Sequence, residues 1–85
     1  MTNSIKRNIY NNLQYISSIE IVGNNKIIIE NCKKILECNE IMIKLKTPFF
    51  YITVWGTELF INNFNKENII VNGKISSVEF ENLKG

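Results

Sequence analysis

From Ser18 onward, apolar and polar positions alternate in short runs, each broken by a turn-forming residue. One pattern, Ile-x-(Ile/Val)-x-Gly, occurs at Ile19-Glu20-Ile21-Val22-Gly23, at Ile52-Thr53-Val54-Trp55-Gly56 and at Ile69-Ile70-Val71-Asn72-Gly73. Asn39 stands in a comparable place after Ile35-Leu36, and Asn is the best substitute for Gly where φ is positive. Each of these points is followed by another apolar alternation: Ile27/Ile29, Ile41/Ile43/Leu45, Leu59/Ile61 and Ile75. The pattern predicts about eight short strands in consecutive hairpins. Their turns fall at Gly23-Asn24-Asn25, Asn39-Glu40, Gly56-Thr57-Glu58 and Asn72-Gly73. Asn72-Gly73 is the strongest of these, because Asn-Gly between two alternating runs is the preferred type I′ pair. Asn31 to Lys34, Thr47-Pro48 and Asn62 to Asn68 link the pairs. Pro48 has no N–H for a ladder, so it should open a strand or lie at an edge. Strands this short and this close in sequence suit a small rolled sheet or sandwich, because a Greek key needs longer crossings. A stacked β-solenoid of the same spacing is the alternative.

The phase of the alternation sorts residues between faces. Ile19, Ile21, Ile41, Ile43, Leu45, Phe50, Ile52, Val54, Leu59, Ile61, Ile69, Val71 and Ile75 make one inward set, joined by Phe80 if Ser76-Ser77 forms a bulge. The outward set is mixed: Glu20, Met42, Lys44, Phe49, Tyr51, Thr53, Trp55, Phe60 and Asn62. Residues 4–15 follow a different rhythm. Ile5, Ile9 and Leu13, with Tyr10, form a helical stripe that Ser4 could cap. Asn8, Asn11 and Asn12 weaken it. The division expected is an N-terminal helical or flexible segment over 1–17 and a β domain over 18–82.

With 85 residues the chain fits one domain with one thin core. Hydrophobic residues at 45% and charged residues at 21% are ordinary for a folded domain and unlike a disordered one. The net charge of +2 is near balance, and only Lys6-Arg7 and Lys33-Lys34 are adjacent basic pairs, which weakens a nucleic-acid footprint. No run approaches a membrane span. The start, Met-Thr-Asn-Ser-Ile-Lys-Arg, lacks the apolar stretch of a secretory signal, so the expected location is the cytoplasm.

Absent residue types narrow the chemistry further. The chain contains no His and no Asp, and Arg7 is its one Arg. Ser–His–Asp and Cys–His catalysis lack their base, and His-containing zinc sites lack their ligands. Cys32 and Cys38 read as reduced thiols serving as small hydrophobes, with a redox switch as the weaker alternative. Glu79 and Glu81 share a strand face, but solvated edge charges explain them better than acid–base work. The expectation is therefore no enzyme, no cofactor, no metal and no small-molecule substrate. The candidate protein-interaction residues are Phe49, Tyr51, Trp55 and Phe60, which would form an apolar patch if they share an exposed face. They could equally pack under the N-terminal helix or within a second layer. Interleaved with Lys44, Lys46 and Lys66 they could also stack single-stranded bases, which gives the alternative of a nucleic-acid-binding small β-barrel.

The run from Ile19 to Phe80 resembles the YabP/YqfC family of bacterial sporulation proteins. The resemblance lies in Ile19-x-Ile21-x-Gly23, Ile29-Glu30-Asn31, Ile35-Leu36 and Ile41-x-Ile43, then Ile52-x-Val54-x-Gly56-x-x-Leu59-x-Ile61, and last Ile69-x-Val71-x-Gly73-x-Ile75-x-Ser77-Val78-x-Phe80. The short chain and the Ile-Glu-Asn step look more like the YqfC branch. Cys32 departs from the aromatic or His that often follows that step. The resemblance implies an endospore-forming, Gram-positive source, a role in forming the spore in the mother cell and a membrane-associated partner, and it carries over no catalytic residues. Together with the thin core, the absent catalytic groups and the outward aromatics, the expectation is a structural or adaptor β domain that self-associates or docks on a sporulation membrane protein, peripheral at the forespore membrane.

Overall fold

The computed structural model describes residues 18–63 and 68–83. The helix expected over 4–15 lies outside them. Six strands follow one another: β1 (Ile19–Val22), β2 (Lys26–Ile29), β3 (Lys34–Cys38), β4 (Met42–Lys46), β5 (Phe50–Asn63) and β6 (Ile69–Asn82). They form one open sheet in the order β1-β2-β6-β5-β4-β3, antiparallel at every pairing. A long central hairpin, β5–β6, is thus flanked by a short hairpin on each side.

The mostly-β expectation holds, but the count of eight strands is corrected to six. The segments read as two pairs about Gly56-Thr57-Glu58 and about Asn72-Gly73 are two continuous strands of 14 residues each. The glycines mark bends rather than turns. A Cβ on Gly56 would lie 2.1 Å from the Lys74 carbonyl oxygen, and one on Gly73 would lie 2.6 Å from that of Glu58. Gly73 also has a φ of 132°. Only glycine lets the two backbones approach this closely. Asn72 lacks the positive φ that a type I′ turn demands, so the Asn-Gly pair serves the bend. The ladder shifts register on both sides of it, between Trp55 and Gly56 and between Thr57 and Phe60. The two turns expected at Gly23 and Asn39 do form, and each is hydrogen-bonded to a bend. The amides of Gly73 and Ile75 donate to the Asn25 and Asn24 carbonyls at 3.2 and 2.8 Å, and those of Gly56 and Leu59 to Ile41 and Glu40 at 3.1 and 2.9 Å. The antiparallel ladder also replaces the solenoid alternative, whose coils stack strands in parallel.

The bends divide the sheet into two halves. The first half holds β3, β4, the start of β5 and the end of β6. The second holds β1, β2, the start of β6 and the end of β5. Their far ends are joined by the short β2–β3 link, whose Asn31 amide donates to Asn68 Oδ1 of the second half at 3.2 Å and whose Lys33 amide donates to the Lys46 carbonyl of the first at 2.8 Å. The inner faces accordingly form one core. Ile43, Leu45, Ile52 and Val54 come from the first half and Ile27, Ile29, Ile69 and Val71 from the second, with Leu59 at the bend. Each fully buried aliphatic side chain contributes roughly 1.5–3 kcal/mol. Thr47 is buried with them, and its Oγ1 donates to the Phe50 carbonyl and accepts from the Phe49 and Phe50 amides. Three residues expected inside are exposed. Ile21 lies on an outer strand, Ile41 in the β3–β4 turn, and Phe80 near the far end of β6, its ring edge-to-face with Phe50 at 5.6 Å between centroids.

Candidate functional site

Residues paired across antiparallel strands point to the same face, so the registers define the outer surface of the first half. Three rows cross it from β4 through β5 to β6: Lys46–Tyr51–Glu81, Lys44–Thr53–Glu79 and Met42–Trp55–Ser77. Read along the strands, the face has a lysine column on β4, an aromatic column on β5 and a glutamate column on β6. β3 adds Lys34 beside Lys46 and Glu37 beside Lys44. The columns are tied together diagonally. The Lys44 ammonium lies 5.3 Å from the centre of the Tyr51 ring, a favourable placement of a cation on an aromatic face. The Trp55 indole N–H donates to Glu79 Oε1 at 3.2 Å, and the Ser76 hydroxyl donates to the Trp55 carbonyl at 3.0 Å. These contacts hold both rings in place while Trp55 stays 38% exposed.

The structure brings together two of the four aromatic candidates. Tyr51 and Trp55 share this face. Phe49 is exposed in the turn just before β5, next to the Tyr51 end. Phe60 lies beyond the bend, opposite Asn72 in the second half, so it belongs to a separate surface with Val22, Ile28 and Ile70. The glutamate column escaped sequence reasoning as a neighbour of these rings. Placing Glu79 and Glu81 beside β5 requires knowing that 69–82 is a single strand, and the Asn72-Gly73 pair argued against that.

The other chemically capable groups are separate from this face. Cys32 is buried and its thiol faces the Lys34 and Lys46 carbonyls. Burial pushes the thiol above its ordinary value, the reverse of what activates a cysteine nucleophile. Cys38 is a free, exposed thiol on β3. Among the described residues no cluster of three or more His, Cys, Asp or Glu side chains has metal-holding geometry, and no helix is long and apolar enough to cross a membrane.

A bent antiparallel sheet with one core and a mixed aromatic and charged outer face defines a small all-β protein. The chain belongs to the YabP family, whose family model matches residues 14–85. That match takes in all six strands and begins shortly before β1. No curated protein and no solved structure matches the chain.

Proposed function

We propose that this protein is a non-enzymatic component of spore formation, a structural or adaptor β domain that works through protein contacts made by the outer face of β4, β5 and β6. YabP family membership supports the sporulation part of the reading. The observation that supports the mode of action is the pinned, partly exposed Tyr51–Trp55 pair between columns of opposite charge. Rigid aromatic rings with a charged surround are what protein interfaces are enriched in. Self-association and docking on a sporulation membrane protein, peripheral at the forespore membrane in the mother cell, are the two ways this face would be used.

The test is genetic. In the endospore-forming host, the gene is replaced by one encoding Tyr51→Ser with Trp55→Ser. The variant should accumulate to the normal level and melt at nearly the normal temperature, and the yield of heat-resistant spores should fall at least about tenfold, the change expected when an interface loses an aromatic anchor. A normal spore yield from a stably folded variant would refute this assignment of the face.

A further inference from the structure

The outer face of the first half is partitioned by charge, and the partition is self-complementary. Lys44 and Lys46 stand on one side of the β5 column, and Glu79 and Glu81 stand on the other in the same two rows. A two-fold axis lying in the plane of the face and running along β5 exchanges the two sides while keeping each row at its own height. Lys46 of one copy would then oppose Glu81 of the other, and Lys44 would oppose Glu79. The third row, Met42–Trp55–Ser77, is uncharged and has no like-charge conflict. A two-fold axis across the strands would instead set lysine on lysine and glutamate on glutamate, so the charges favour the axis along the strands.

We infer that this face is the contact between two copies of the chain, stacked sheet on sheet about a two-fold axis along β5, with Tyr51 and Trp55 on the axis and two lysine–glutamate rows on each side. This deepens the proposed function and rests on it, since it names the partner as a second copy. The geometry suits sheet stacking. Neighbouring strands are roughly 4.8 Å apart and stacked sheets about 10 Å apart, a gap that a lysine and a glutamate side chain span together. An axis along the strands also keeps the two strand directions nearly aligned, the arrangement in which sheets pack face to face with an offset of about 30°. Such an isologous contact closes on itself as a dimer. The contact lies on the face, so it leaves the free edges of β1 and β3 unused. The four charged side chains make no ion pair with one another inside one copy, as the one salt bridge among the described residues is Lys74–Glu58. Lys44 lies over the Tyr51 ring and Glu79 accepts from the Trp55 indole, contacts that leave each of these charges without an opposite charge among the described residues of its own copy.

Charge exchange tests this directly. The full chain is followed by sedimentation velocity over a concentration series at low salt. Three variants are compared with it: Lys44→Glu with Lys46→Glu, Glu79→Lys with Glu81→Lys, and the variant carrying all four changes. The wild type should dimerise, and each two-residue reversal should weaken its own dimer at least about tenfold, because like charges then face each other. An equimolar mixture of the two reversal variants should recover the dimer as a one-to-one pair. The four-residue variant keeps the partition with signs exchanged and should dimerise with itself like the wild type. That recovery also shows that the reversed chains are folded. Added salt should weaken the wild-type dimer. A wild type that stays monomeric at every concentration would overturn the inference while leaving the face free to dock on a different protein. Dimers indifferent to both reversals would place the contact elsewhere on the molecule and overturn it too. So would a mixture of folded reversal variants that fails to pair. A folded Tyr51→Ser, Trp55→Ser chain that supports normal sporulation would remove the proposed function itself, whatever the masses show.

Discussion

The two halves of the sheet share a construction and differ in what they show to solvent. Each sets a short hairpin beside one strand of the long β5–β6 hairpin, each ties that hairpin's turn to a bend, and each gives four fully or almost fully buried aliphatic side chains to the same core. Outside, the first half carries the lysine, aromatic and glutamate columns. The second carries Glu20 and Val22, Lys26 and Ile28, Asn72 and Ile70, then Phe60 and Asn62, with no column of one charge. Residues that build the fold are therefore alike on the two sides, and those that distinguish one side from the other point outward. Function is best sought where the two halves disagree.

The shared core offers the largest effect. Ile29→Ala removes a buried side chain from the second half and Ile52→Ala one from the first. Each should cost about 3–4 kcal/mol, and urea unfolding should show one transition in both. A variant that unfolds in two steps would mean that the halves have separate cores. Next come the bends. Gly56→Ala and Gly73→Ala force a Cβ into backbone of the opposing strand, and each should cost about 2–3 kcal/mol. Gly23 also has a positive φ, 58°, but open space around it, so Gly23→Ala should cost only about 1–2 kcal/mol. Thermal melting of the three variants checks that ranking.

Cys32 gives a smaller, pH-dependent effect. Its folded-state pKa is raised by burial above the ordinary 9.0, so the fold favours the neutral thiol. That contribution is fully present below pH 9 and is lost as the pH rises through the ordinary value toward the raised one. Wild type minus Cys32→Ala stability, measured from pH 7 to pH 10, should decline above pH 9. In the native chain a thiol reagent should modify Cys38 at once and Cys32 only on unfolding. The smallest stability effects belong to the outer faces. Both Tyr51→Ser with Trp55→Ser and Val22→Ser with Phe60→Ser should shift the melting free energy by no more than about 1 kcal/mol.

The alternation of Ile43/Leu45, Ile52/Val54 and Ile69/Val71 made their facing legible, because residues two apart share a face, whereas Ile27 and Ile29, fully buried on β2, stood outside the inward set. The turn at Gly23-Asn24-Asn25 was legible for the same reason, as was the Asn39 turn. There the Asn39 side chain accepts from the Ile41 and Met42 amides at 2.9 and 2.8 Å, a local device that needs no distant partner. Gly56 and Gly73 were misread because a glycine between two alternating runs has the same local signature in a hairpin turn and in a bent strand. The difference lies in the carbonyls of Lys74 and Glu58, which approach from the other strand. The candidate site was half legible for a related cause. The outward phase of Tyr51 and Trp55 follows from β5 alone, whereas the lysines and glutamates beside them follow only from the pairing of β5 with β4 and β6.

The most direct measurement is the spore yield of the two outer-face variants side by side in the same host. With both proteins present at normal levels and folded, Tyr51→Ser with Trp55→Ser should lower the count of heat-resistant spores at least about tenfold, and Val22→Ser with Phe60→Ser should leave it near that of the wild type. Equal yields from the two strains, whether both normal or both reduced, would contradict the assignment of function to the outer face of the first half.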